Sequence, residues 1–62
     1  MPIIRVEMFK RNQEQKKKLA KELTEAFVRT CGGKKESIKI LITDVDEHNW
    51  ASGGVLTSDN NS

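Results

Sequence analysis

The chain has 62 residues, with 11 lysines and arginines against 9 aspartates and glutamates, and carries a mild net charge of +2. So short a chain makes one domain with a marginal core, and with 1 cysteine and 1 histidine it can form neither an internal disulfide nor a structural zinc cluster. Oligomerisation is then the stabilising device left to it, and the small positive charge suits acidic small molecules without calling for nucleic acid.

Residues 1–62 read as a single domain. A lone Cys31 and the lack of a cationic, apolar leader fit a reducing cytoplasm. The longest aliphatic run, Ile40-Leu41-Ile42, is far too short to cross a bilayer, so no membrane contact is expected.

Pro2 stands directly behind Met1. Methionine is usually trimmed before so small a residue, which would leave Pro2 with a free secondary amine. An ordinary α-amino group titrates at about 7.7–8.0. Desolvation and neighbouring cations lower that value, and a general base works best near operating pH. Pro2 is thus a candidate base or nucleophile, although proline is also simply common at this position.

Residues 3–9 read as a strand with Ile4, Val6 and Met8 on one face and Ile3, Arg5, Glu7 and Phe9 on the other. Asn12 is a helix N-cap, and Gln15 can complete a capping box. An amphipathic helix is expected over residues 13–31, its apolar stripe formed by Leu19, Ala20, Leu23, Ala26, Phe27 and Thr30. Its polar face carries Lys16, Lys17, Lys18 and Lys21, and Glu14–Lys18, Lys18–Glu22, Lys21–Glu25 and Glu25–Arg29 stand at i,i+4 spacing. It therefore reads as a solvated, self-paired face. No aromatics interleave these lysines, as base stacking would require. Cys31 reads as a small buried residue at the helix end.

Gly32-Gly33 stops the helix. Residues 38–43 form the second strand, apolar on both faces, which fits a parallel strand covered on both sides. Strand, helix and strand make a right-handed β-α-β unit. Residues 44–50 read as a polar loop. Asp44, Asp46, Glu47 and His48 match no defensible metal-ligand spacing, so that loop is a polar turn. Ala51-Ser52-Gly53-Gly54 is a turn, Val55-Leu56-Thr57 the return strand of a small hairpin, and residues 58–62 a frayed tail. The fold class is α+β.

One helix covers one face of a two-stranded sheet. The other face and both edges need a partner, and pairing like edges about a two-fold axis supplies it. At ~3.3 Å per residue, Pro2 and Arg11 lie roughly 30 Å apart in one chain. A pocket using both must therefore be shared between chains with antiparallel first strands. Lys39, one residue into the parallel second strand, lies at the Pro2 end.

Taken together, Met1-Pro2-Ile3-Ile4-Arg5-Val6-Glu7-Met8-Phe9, the arginine before the helix, Glu14-Gln15-Lys16, the Gly-Gly break, Ile42-Thr43-Asp44 and Asn49-Trp50-Ala51-Ser52-Gly53-Gly54 resemble the 4-oxalocrotonate tautomerase family, also called 2-hydroxymuconate tautomerases. The resemblance spans essentially the whole chain. It implies a β-α-β fold assembled as a hexamer, a trimer of dimers, and an isomerase that moves a proton in a 2-hydroxydienoate or enone dicarboxylate, without a cofactor or metal, in aromatic catabolism. It implies that Pro2 is the catalytic base, that Arg11 binds the distal carboxylate, that Lys39 takes the place of a second arginine, and that Trp50 is the aromatic that keeps the amine neutral.

Two departures bear on the site. The family's glycine before the arginine is missing from Phe9-Lys10-Arg11-Asn12, which puts Lys10 in competition for Arg11's role. Lysine at 39 keeps the charge but loses the two-pronged grip on a carboxylate. Lys39 also reads as a snorkelling strand-edge residue, and Trp50 as an interface anchor. Beside tautomerisation stand a catalytically weak or inactive oligomeric module of the same fold, and a related hydratase or dehalogenase. The last would need a water-activating carboxylate to which no residue points.

Overall fold

The computed structural model describes residues 2–60, the last by its backbone only. Strand β1 (Ile3–Phe9) is followed by helix α1 (Gln13–Cys31), a 3-10 turn (Lys35–Ser37) and strand β2 (Lys39–Val45). A second 3-10 turn (Glu47–Asn49), a hairpin of β3 (Ala51–Ser52) and β4 (Val55–Leu56), and a third 3-10 turn (Thr57–Asn60) complete the chain. This is the expected α+β, β-α-β fold with a short C-terminal hairpin. Among the described residues no helix is long and apolar enough to cross a membrane.

The helix begins and ends where its local chemistry dictates. Asn12 accepts from the Gln15 backbone N–H at 2.8 Å, and the Gln15 side chain accepts from the Asn12 N–H at 3.2 Å, closing the capping box. At the other end Gly32 takes φ +80° and donates its N–H to Val28 at 2.9 Å, a backbone that side chains resist.

β1 and β2 pair in parallel, with Ile3 opposite Lys39 and Phe9 opposite Val45. β2 runs two residues further than the hydrophobic pattern indicated, because its pairing with β1 continues through Asp44 and Val45. Ile38 lies outside the strand and is the one buried residue among those described, at 8% exposure. In the hairpin, Gly53 and Gly54 hold φ of +60° and +84° between paired Ser52 and Val55. Positive φ at both central positions is the two-residue turn whose twist matches the strands.

Several expectations are corrected. Thr57–Asn60 is a 3-10 turn, so Thr57 is not part of the return strand and residues 58–60 are not frayed tail; the Thr57 N–H anchors the turn on the Trp50 carbonyl at 2.8 Å. Residues 61 and 62 lie outside the described residues. Within the polar loop, Glu47–Asn49 is a 3-10 turn. Cys31, the last residue of α1, is exposed rather than buried. Thr30 is exposed too and turns its hydroxyl back to the Ala26 carbonyl at 2.8 Å. Among the described residues, none of the anticipated i,i+4 pairs along α1 closes to an ion pair. Lys16 instead crosses to Asp44 at 2.8 Å, tying the start of the helix to the end of β2.

That bridge is partly exposed on both sides, 20% and 41%, so its worth is small. Asp44→Asn is expected to cost less than about 1 kcal/mol in urea unfolding, with the difference shrinking at high salt.

The molecule measures 45 × 24 × 15 Å, the thickness of one sheet and one helix layer. Ile4, Val6, Met8, Ile40 and Ile42 face α1 and are half-buried. The opposite face is bare: Ile3 is 55% and Leu41 50% exposed. In the single chain β2 is therefore covered on one side, not both.

Candidate active site

The parallel register fixes one end of the site. Lys39 donates its backbone N–H to the Pro2 carbonyl at 3.0 Å, so the half-buried Pro2 and Lys39 start adjacent strands side by side. The Lys39 amine bends back to the Glu36 carbonyl at 3.3 Å and is otherwise exposed. It can swing to a ligand at the cost of one weak surface hydrogen bond.

Arg11 and Trp50 occupy the other end. Phe9, the last residue of β1, meets Trp50 edge-to-face, with ring centroids 5.1 Å apart and planes at 63°. This geometry favours the ring quadrupoles, and it docks the hairpin onto the sheet. Arg11 follows two residues later and folds its Nη1 onto the Lys10 carbonyl at 3.2 Å. A cavity of about 420 Å³ opens here, lined by Phe9, Lys10, Arg11, Val45, Asp46, Glu47 and His48. Lys10 thus shares the cavity with Arg11.

The polar turn above this cavity is ordered by Asp46. Its Oδ1 accepts the His48 backbone N–H at 2.8 Å and contacts His48 Nδ1 at 2.6 Å. The backbone bond first, and the ring second, hold the Asp46 carboxyl below the usual aspartate range. Because the folded value is lowered, this cap contributes in full above the ordinary aspartate pKa. Its contribution is lost as pH falls through the lowered one. Among the described residues, no group of three or more His, Cys, Asp or Glu side chains converges as metal ligands would.

The four residues singled out in the sequence therefore divide into two pairs at opposite ends of one strand, Pro2 with Lys39 and Arg11 with Trp50. The separation of Pro2 from Arg11 was readable from strand length. The Phe9–Trp50 contact joins residues 41 positions apart and leaves no periodic trace. Asp46 and His48 were read as a polar turn, and their side-by-side hydrogen bonding was missed. The D-x-H spacing of an Asx turn could have revealed it.

Comparison with known proteins follows the same outline. The family described as Tautomerase enzyme matches residues 2–60. A protein of Streptococcus pneumoniae described as a probable tautomerase is 42% identical over 57 residues, covering 90% of this chain and 95% of its own length. The crystal structure of YwhB, a homologue of 4-oxalocrotonate tautomerase, superposes with a TM-score of 0.89 at 34% identity, over 94% of this chain and 97% of that one. A heterohexameric 4-oxalocrotonate tautomerase from Chloroflexus aurantiacus superposes with a TM-score of 0.88 at 27% identity, over 95% and 97% of the two chains.

Proposed function

The chain belongs to the tautomerase family and is an enzyme, an isomerase of the tautomerase type, and we propose that it interconverts the enol and keto forms of a 2-hydroxydienoate or enone dicarboxylate such as 2-hydroxymuconate, with Pro2 as general base. What carries the reading is the pairing of Pro2 with Lys39 at one end of the sheet while Arg11 and Trp50 sit at the other. A six-carbon dicarboxylate needs a base and a cation near its reacting end and a second cation at its far end. Two chains with antiparallel β1 edges would supply that set, with Pro2 and Lys39 from one and Arg11 and Trp50 from its partner. The Chloroflexus relative is a heterohexamer. For this chain we read a homo-hexamer, in which pairs join through β1 edges and the bare faces of Ile3 and Leu41 are covered by further copies.

With Met1 removed, the Pro2 nitrogen takes the proton of the 2-hydroxyl group and returns it to a carbon of the conjugated chain. Lys39 stabilises the charge that builds on the oxygen, an electrostatic contribution that grows as water is excluded. The Arg11 guanidinium holds the distal carboxylate in two-pronged fashion. The indole of Trp50 dries the pocket and, with the two cations, disfavours the protonated amine. The step needs no cofactor.

Intact mass comes first in testing this. A mass lacking one methionine means a free Pro2, and such protein is expected to ketonise 2-hydroxymuconate. Retained Met1 makes the Pro2 nitrogen an amide, and that material is expected to be inert until the methionine is cleaved. Methionine-free protein without activity toward 2-hydroxymuconate would overturn the reading.

Arg11→Ala is expected to raise KM for the dicarboxylate about tenfold or more, with a smaller change in kcat, since the distal carboxylate is gripped in ground and transition states alike. Lys39→Arg is expected to raise kcat/KM several-fold, because the planar fork replaces a single point charge. An unchanged KM in Arg11→Ala would shift the role to Lys10.

A further inference from the structure

We propose that His48 is a second anion-binding group at the Arg11 end of the sheet, holding the outer carboxylate of a dicarboxylate ligand jointly with Arg11. This rests on the dicarboxylate reading above and names what gives that end of the pocket its specificity.

His48 lines the same cavity as Arg11 and Lys10. Its ring is not loose there. Asp46 holds Nδ1 at 2.6 Å, and the Asp46 carboxylate is itself fixed by the His48 backbone N–H at 2.8 Å. A carboxylate bonded to Nδ1 selects the tautomer with the proton on that nitrogen. Nε2 is then the nitrogen a ligand can reach, and the side chain is 79% exposed.

The chemistry at Nε2 inverts with protonation. The neutral ring offers a lone pair, which repels a carboxylate. The protonated ring offers an N–H donor carrying positive charge.

The charged groups around it, element by element, are Asp46 and Glu47 on its own turn and Lys10 and Arg11 beyond β1. Asp44, at the end of β2, is paired with Lys16, and Asp59 belongs to the 3-10 turn packed against the His48 turn. Lys10 and Arg11 attract a dianion at every working pH, so His48 adds the part of the grip that depends on pH.

His48 is the chain's single histidine, so its imidazole proton signals are unambiguous in NMR spectra. The test uses two unreactive probes, adipate with two carboxylates and hexanoate with one, on methionine-free protein. Adipate is expected to move the His48 ring signals and to bind about three- to tenfold more tightly to the protonated ring than to the neutral one, both states being followed by the ring signals themselves. Hexanoate, which cannot engage both ends at once, is expected to bind more weakly than adipate and to move the His48 signals less at equal concentration. In His48→Gln the pH dependence of adipate binding is expected to fall away. KM for 2-hydroxymuconate should rise by the same factor where the ring is protonated, with a smaller change in kcat.

Ring signals that ignore adipate, or a His48→Gln protein with the wild-type pH dependence, would overturn the proposal while leaving the tautomerase reading intact. A protein inert toward 2-hydroxymuconate whose His48 signals follow adipate would sink the substrate reading and leave this anion site standing.

Discussion

Replacing Pro2 by alanine is expected to lower kcat for 2-hydroxymuconate by about 10²- to 10⁴-fold, the range that positioned proton transfer supplies, with KM little changed. Alanine behind Met1 is also trimmed, so the variant keeps a free amine and loses the secondary one. The Pro2 carbonyl that accepts the Lys39 N–H is backbone and survives the change, so circular dichroism and oligomer size should match the parent. Full activity in this variant would exclude Pro2 as the base. The shared site adds a sharper version. At substrate far below KM, where the Pro2→Ala chain turns over little and the Arg11→Ala chain is slowed by its raised KM, the two are expected to recover activity when unfolded and refolded together. Random pairing in equal amounts leaves about a quarter of the sites with both residues intact. No recovery would mean that one chain supplies both residues, which the length of β1 makes hard to satisfy.

Leu41→Glu is expected to break the assembly. Leu41 is 50% exposed opposite Arg5, on the same outward face as Ile3, and Ile38 is the one buried residue among those described. Covering a leucine contributes about 1.5–3 kcal/mol, and placing a carboxylate there adds the cost of desolvating a charge. Light scattering should show smaller species than the parent, with the melting temperature lower by about 10 °C or more and activity lost. Leu41→Met keeps volume and polarity and should restore all three. A Leu41→Glu protein with the parent's size and melting temperature would show that this face meets water in the working enzyme.

What could be read from the residues depended on where each one's partner lay. Asn12 with Gln15 and the Gly32 stop act within a few positions, and the helix ended where they said it would. Lys16 looked like part of a solvated lysine face, yet it has a partner, Asp44, 28 positions away. β2 looked covered on both faces because apolar Leu41 stands between Lys39 and Thr43 on the side away from Ile40 and Ile42, but among the described residues Leu41 is left 50% exposed. Residues 58–60 looked like tail because their turn is tied by the Thr57 backbone bond to Trp50, to which side-chain chemistry gives no clue. The candidate residues followed the same division. Pro2, Arg11, Lys39 and Trp50 stood out by type and position, whereas the Phe9 ring against Trp50 and the Asp46 hold on His48 needed three dimensions.

The register that sets Ile3 opposite Lys39 also dictates an order of events in folding. The first and last pairs of this sheet each join residues 36 positions apart, so the whole intervening segment must be ordered before any ladder bond forms. Closing so long a loop costs chain entropy that no early contact offsets. Helix α1, with its own cap and stop, can form within about a microsecond, long before the strands meet. The chain is then a hairpin-shaped species with one apolar face satisfied and the other open, and its next step is an encounter between molecules. Refolding should accordingly show a fast phase independent of protein concentration, followed by a slower one whose rate rises with it.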